Sequence, residues 1–476
     1  MVPARLCEDV PALRSDRRFV AMTHRSALIA VPALVLSLLL SETALGQSAA
    51  TAPAANPVLF RNVRIFDGVS GRVSGPSDVL VRGNRIERIA AKQSPETGAT
   101  LIEGNGRTLM PGLIDVHWHT MLASPSLTVA LSADESYLAL LAGVEAERTL
   151  MRGFTTVRDV GGSSFGLKRA IDERQVPGPR IFPSGAMISV TSGHGDFRSV
   201  HDLPRTLGEP GSRLDRDGHT AIADSPDEVR LRTREQLMRG ASQIKLTAGG
   251  GVTSPNSPLD AITFTEAEVR AAVEAARNWG TYVTVHAYTS EAIRESISAG
   301  VLCIEHAMLM DEATAQLMAS KGIWLSTQPL PLELGNAFPP GSDERAKFQQ
   351  VYEGVDNVYK LARKYKLKTA FGTDVLFSSA LAAQQGALLA SLTRWYSPAE
   401  VLVMATGTNG ELLRLSGKRS PYKGDIGVVR EGALADLLLV DGDPVADIGL
   451  VARPAESLVV IMKDGVIYKN SLASRP

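Results

Sequence analysis

Between residues 112 and 371 short apolar runs alternate with amphipathic stretches of helical period, and this alternation restricts the chain to repeated βα units around a parallel sheet. The runs at 112–116, 155–158, 180–183, 243–246, 282–285, 303–305, 324–326 and 369–371 are the length of strands. Eight such strands predict an α/β fold of the (β/α)8 TIM-barrel type. A doubly wound open sheet is the main alternative, but no Gly-x-Gly-x-x-Gly turn follows the first run. The long segment 189–222 is expected to loop over the face where the strands end.

The flanks carry a different pattern. Alternating segments at 58–65, 78–81, 85–90 and 108–109, with Gly83-Asn84 as a turn, read as a β-meander. Further segments at 427–429, 436–440, 458–463 and 466–468 follow the barrel, with Lys463-Asp464-Gly465 as a hairpin turn. Half-sheets at opposite ends of a chain predict one small β-sandwich, made of 57–110 and 420–476, around a barrel spanning 111–419. Residues 47–56 read as an Ala/Pro/Ser linker. Residues 1–46 read as an export signal, because Arg25 precedes the apolar run 27–40 and Ala44-Leu45-Gly46 supplies small residues before Gln47. That run is shorter than the roughly 20 residues of a spanning helix, so no stable membrane anchor is expected and the mature protein is placed in the periplasm or outside the cell. Either Met1 or Met22 can serve as the start.

Cys7 lies in the leader, which leaves Cys303 alone and excludes an intrachain disulfide. Lys and Arg number 50 against 51 Asp and Glu, with no basic stripe, which argues against nucleic acid and leaves a small molecule or dipeptide as the expected partner. The oligomeric state stays open.

In a barrel, side chains at the carboxyl ends of the strands meet on one face. His117, His119, Lys245, His286, His306 and Asp374 each fall at or just past the end of a predicted strand. Alternation puts His117 and His119 on one side with Trp118 opposite, so both imidazoles can converge on one ion. A His-x-His pair alone is weak, but four of the seven histidines beyond the leader end barrel strands. Lys245 facing a barrel interior is costly while charged. Its lowered pKa would make it a nucleophile toward carbon dioxide, and the resulting carbamate suits two divalent ions; pairing with a carboxylate or snorkelling to solvent are equal alternatives. Asp374 can ligate metal and take a proton from a water whose pKa two cations have lowered, or simply cap the next helix.

The segments Pro111-Gly112-Leu113-Ile114-Asp115-Val116-His117-Trp118-His119, Gly153-Phe154-Thr155-Thr156-Val157-Arg158-Asp159, Lys245, Val285-His286-Ala287-Tyr288, Ile304-Glu305-His306 and Gly372-Thr373-Asp374 follow in order along nearly everything after residue 57. On them the chain resembles the amidohydrolase superfamily. The resemblance implies that His117, His119 and Asp374 hold one metal ion, His286 and His306 a second, and a carboxylated Lys245 bridges them, with zinc the usual metal. Within the superfamily the chain is similar to the imidazolonepropionase-related branch of exported dipeptidases and carboxypeptidases, which includes prolidase-like enzymes and ochratoxin-hydrolysing amidases. There a His in a Gly-His-Gly-Asp loop polarises the scissile carbonyl and a Tyr two residues after the third metal His binds the substrate carboxylate. His194 and Tyr288 match these positions.

The expected activity is cleavage of an amide to a C-terminal amino acid with a free carboxylate, Asp374 shuttling the proton to the leaving nitrogen. A cyclic-amide hydrolase on the same scaffold is the enzymatic alternative, and a catalytically inactive binding barrel the other, although none of the expected ligands is missing. Gly249-Gly250-Gly251 reads as flexible backbone beside the site, and His201, His219 and Arg198 are further candidates to line it.

Overall fold

The structure is a computed structural model that describes residues 56–198, 212–254 and 256–472. The predicted export signal and all of the linker but Asn56 lie outside them. The described residues begin with β1 (Val58–Ile65), β2 (Ser77–Arg82), β3 (Arg85–Ala90), β4 (Thr100–Glu103) and β5 (Thr108–Pro111). Then come β6 (Leu113–Trp118), β7 (Phe154–Asp159), β8 (Arg180–Pro183), β9 (Met187–Ser189), β10 (Thr220–Ile222) and β11 (Ile244–Thr247). The parallel strands end with β12 (Val283–Thr289), β13 (Cys303–Leu309), β14 (Trp324–Thr327) and β15 (Lys368–Phe371), and β16 (Leu437–Val440), β17 (Leu458–Lys463) and β18 (Val466–Asn470) close the chain.

The fold is mixed α/β with parallel sheets. β6, β7 and β8 form one parallel sheet, and β10-β9-β11-β12-β13-β14-β15 a second. Helices between the strands start where their sequences offer caps. Ser225 accepts from the Glu228 amide ahead of the helix Pro226–Arg239, with Pro226 in its first turn. Thr265 and Glu268 form a capping box on Glu266–Trp279.

The closed ladder expected of eight strands is not present among the described residues. Where one strand was expected at 180–183, the chain makes β8 and then β9 in the other sheet. Pro183 has no N–H for a ladder and Gly185 takes a φ of +74°, which breaks the strand between them. β9 and β10 are short strands at the ends of the segment read as loop. Single backbone bonds, Ser242 N to Pro183 O at 2.7 Å and Asp374 N to His117 O at 2.8 Å, and side chains span the gaps between the sheets instead. On one side Gln243 Nε2 donates to Asp159 O at 3.0 Å and Phe182 O at 2.8 Å. On the other, Asn409 Nδ2 donates to Ile114 O and Phe371 O, each at 2.8 Å, while its Oδ1 accepts from Phe371 N at 3.0 Å.

The terminal strands run as one hydrogen-bonded path, β18-β17-β16-β5-β1-β2-β3 with β4 on β1, so two separate facing sheets are not seen. Strands predicted at 58–65, 85–90 and 458–463 match to the residue. β4 is an addition, pairing parallel to β1, and 427–429 is irregular rather than a strand. Asp464 and Gly465 at the β17–β18 turn have φ of 55° and 71°, the left-handed pair that a two-residue hairpin of type I′ requires. No helix among the described residues is long and apolar enough to cross a membrane.

Asn409 ties β15 to β6 through buried backbone groups that have no ladder partner there. Asn409→Ala is expected to lower stability by about 2–4 kcal/mol, read from the urea midpoint; an unchanged midpoint would show that the gap is held elsewhere.

Candidate metal centre

The residues singled out from sequence converge at the carboxyl ends of the parallel strands. His117 lies in β6 and His119 one residue past it, with Trp118 turned into the packing on the other side. Lys245, His286 and His306 come from β11, β12 and β13, and Asp374 follows β15. All four histidines and Lys245 are at most 3% exposed. Donor atoms of His117, His306 and Asp374 lie within 4.8 Å of one another, a spacing that can hold a metal ion. His117 Nε2 and His119 Nε2 sit 3.1 and 3.2 Å from Asp374 Oδ1, and His306 Nδ1 lies 3.9 Å from Oδ2. His286 packs on His306 with ring centroids 4.4 Å apart.

Each of these imidazoles has one nitrogen tied to an acceptor outside the centre. His117 Nδ1 lies 2.8 Å from Glu305 Oε2, His119 Nδ1 3.1 Å from Gly161 O, His286 Nε2 2.9 Å from Gly250 O and His306 Nδ1 2.7 Å from Gln328 Oε1. A ring nitrogen that donates outward leaves the other to turn a lone pair to a metal once any proton it shares with Asp374 is given up. Lys245 completes the set in a different way. Among the described residues its ammonium makes no hydrogen bond or ion pair, and burial lowers its pKa against the pull of Glu305 and Asp374. A buried amine without an acceptor fits a group that becomes an anion and ligates.

Charge balance depends on Glu305. Burial alone would raise its carboxyl, but Arg158 and His117 hold it well below the usual range. Arg158 Nη2 donates to Glu305 Oε1 at 2.6 Å and both residues are wholly buried. For Asp374 burial acts upward too, and the neighbouring imidazoles of His117, His119 and His306 outweigh it, keeping a carboxylate. Asp374 and His306 hold left-handed backbone, with φ of 54° and 77°, a conformation rare outside glycine that recurs at functional sites. The Asp374 amide is fixed by donating to His117 O at 2.8 Å.

His194 and Tyr288 stand at the rim. The His194 ring lies 4.2 Å from that of His286 by centroid, and Tyr288 lies 4.7 Å from His286 and 5.1 Å from His306. Ser254 Oγ accepts from Gly195 N at 2.9 Å and sits 3.0 Å from His194 Nδ1. A hydroxyl that has accepted one bond can donate the next, an arrangement compatible with the ring proton of His194 on Nε2. Enclosure outweighs the attraction of Asp374 and lowers the His194 pKa to about 3, so the ring is a neutral donor. The Tyr288 hydroxyl has no hydrogen-bond partner among the described residues, and burial raises its pKa, so it too remains a donor.

One sequence reading changes. The Gly249-Gly250-Gly251 run is close-packed rather than loose: a Cβ on Gly251 would lie 1.9 Å from His194 Nδ1. His219 is buried against Glu135, with Nε2 3.1 Å from Oε2, and Arg198 is clamped by Asp196 at 2.6 Å. His201 lies outside the described residues. Sequence reasoning gave no role to Arg158, Glu305, Gln328 or Ser254. Arg158 and Glu305 are charges inside apolar strands, a signal that could have marked them; Gln328 and Ser254 carry none.

Residues 108–469 match the amidohydrolase family. Ochratoxinase from Aspergillus niger is 30% identical over 379 residues, which cover 76% of this chain and 76% of that one. A crystallised prolidase in complex with N-methylphosphonate-L-proline is similar at 33% identity and a TM-score of 0.80, over 87% of this chain and 100% of its own. A Xaa-Pro dipeptidase with methionine bound in its active site follows at 29% and 0.76, with the same coverage.

Glu305→Gln keeps the shape but weakens the anchor of His117 and removes the counter-charge of Arg158. Metal retention against a competing chelator is expected to fall about 10–100-fold, measured on the folded fraction; retention equal to the parent protein would refute this role.

Proposed function

The chain belongs to the amidohydrolase family and is a hydrolase of carbon–nitrogen bonds, and we propose that it cleaves the amide joining an acyl group to a C-terminal amino acid with a free carboxylate. Dipeptides and N-acyl amino acids such as ochratoxin A belong to that class, in keeping with the ochratoxinase, prolidase and dipeptidase among its relatives. The observation that carries the reading is the pair of unspent donors, His194 Nε2 and the Tyr288 hydroxyl, beside one cluster of tied-back imidazoles.

In this reading His117, His119 and Asp374 would hold one divalent ion and His286 and His306 a second, with Lys245, carboxylated on Nζ, serving both. Zinc is the expected metal. Two such ions supply Lewis acidity and lower the pKa of a water toward neutrality. His194 donates through Nε2 to the carbonyl oxygen as negative charge develops there. The Tyr288 hydroxyl binds the substrate carboxylate and sets the scissile amide in register. Asp374, kept ionised by its imidazole neighbours, accepts a proton on Oδ2 and returns it to the departing nitrogen. The buried walls of the strand ends exclude bulk water and strengthen each of these interactions. We read the two parallel sheets as an interrupted (β/α)8 barrel, the terminal strands as a folded sandwich, and residues 1–46 as an export signal that delivers the enzyme outside the cytoplasm.

Chelator treatment should abolish hydrolysis and zinc should restore it. Asp374→Asn should keep most of the metal while lowering turnover on the order of 10²–10⁴-fold; near-normal turnover would end the proton-shuttle role. Comparing N-acyl amino acids with their C-terminal amides tests the carboxylate. A strong preference for the free acid, lost in Tyr288→Phe, supports the reading, and equal rates would favour a cyclic-amide hydrolase.

A further inference from the structure

At the amino-terminal end of β8, the end of the parallel strands away from the histidines, a cavity of about 420 Å³ lies between the strands and the β17–β18 hairpin. Its volume is in the range of small-molecule sites. Arg85, Arg174, Arg180, Lys423 and Lys463 line it, against two acidic residues, Asp172 and Asp464.

The acids are already committed. Asp464 Oδ1 accepts from Arg180 Nη2 at 2.7 Å and its Oδ2 lies 3.5 Å from Arg174. Asp436, behind the wall, takes Arg180 Nε at 2.7 Å. Asp172 is paired with Lys168 and accepts from the Tyr422 hydroxyl at 2.9 Å. Among the described residues Arg85 is bound only to backbone, at 2.7 Å to Gly432 O and 2.9 Å to Lys423 O, with no carboxylate paired to its charge.

Lys463 is the decisive residue. It is 3% exposed, yet among the described residues its ammonium makes no hydrogen bond and has no carboxylate within ion-pair distance. A largely buried ammonium that Asp436, Asp172 and Asp464 attract only from beyond contact is costly, and the cavity it lines is where an anion can reach it. Tyr422 and Tyr468 add aromatic wall to the same space.

We propose that this cavity is a second, non-catalytic site that binds a small organic molecule carrying a multiply charged oxyanion, a phosphate ester or a polycarboxylate. Lys463 and Lys423 supply point charges to the oxyanion, Arg85 and Arg174 border it, and the tyrosines pack the organic part. The site joins the parallel strands to the terminal sheet, so its occupant stabilises the native chain by mass action.

The test is calorimetric titration of the metal-loaded full chain with adenosine monophosphate, succinate and inorganic phosphate, alongside thermal unfolding. Saturable binding of an organic probe with a raised Tm is expected, the two organic arms separating phosphate from carboxylate preference; binding of inorganic phosphate alone would overturn the organic part of the proposal. Lys463→Met should weaken binding at least tenfold while hydrolysis persists and the ligand-free Tm stays equal or rises, because an uncompensated buried charge is gone. Lys423→Gln, an exposed change that leaves folding intact, should weaken binding several-fold. Absence of saturable binding at millimolar concentrations of all three probes, or binding unaltered in both variants, overturns the site; the second result would assign the anion to the metal centre.

Discussion

A single buried carboxylate, Glu305, organises the centre of this molecule. It neutralises the wholly buried Arg158, receives the Thr284 hydroxyl, and orients His117. Taking two charges out of water costs several kcal/mol for each ion, and only a well-matched pair with its remaining hydrogen bonds satisfied recovers that loss. Arg158 meets the condition by also donating to the Tyr282 hydroxyl at 2.9 Å and to Val116 O. β6, β7, β12 and β13 are therefore cross-linked under the histidines. The imidazoles stand on a rigid polar floor.

The same economy of charge runs through the rim. Asp115 is buried yet accepts from Thr373 N and Oγ1, Gln385 Nε2 and His117 N, binding the segment that leads to Asp374 back to the strand that carries His117. Close approach does the rest: a Cβ on Gly372 would lie 2.4 Å from that of His117. The left-handed backbone at Asp374 and His306 persists because such neighbours over-determine it. Lys245, which among the described residues has no hydrogen-bond or ion-pair partner, feels the pull of Glu305 and Asp374 without touching either.

Much of this could be read from residue order. Apolar runs located β6, β7, β8 and β11–β15, because a strand buried on both faces must be apolar almost throughout. His117, His119, Lys245, His286, His306 and Asp374 stood out because a polar group at the end of such a run has to be paid for by function or by pairing. The strands β4, β9 and β10 escaped, being three or four residues long and defined by their partners rather than by any period of their own. Asn409 could not be found either. An asparagine within a run of helical turns has no distinctive sequence signal, and its partners Ile114 and Phe371 lie 295 and 38 residues away.

Sequence alone determined the alternation of strand and helix, the βα architecture that follows from it, and the polar residues that end the strands, since these depend on local period and on the chemistry of side chains. Tertiary structure decided how the sheets meet, which nitrogen of each histidine faces inward, and which charges are left without a partner. Those properties arise from contacts between segments far apart in the chain, where a shift of one ångström changes a hydrogen bond and no local pattern records it. Glu305 belongs to both halves: its place in an apolar strand was plain from the sequence, and only the packed strands reveal that it holds Arg158 and His117 together.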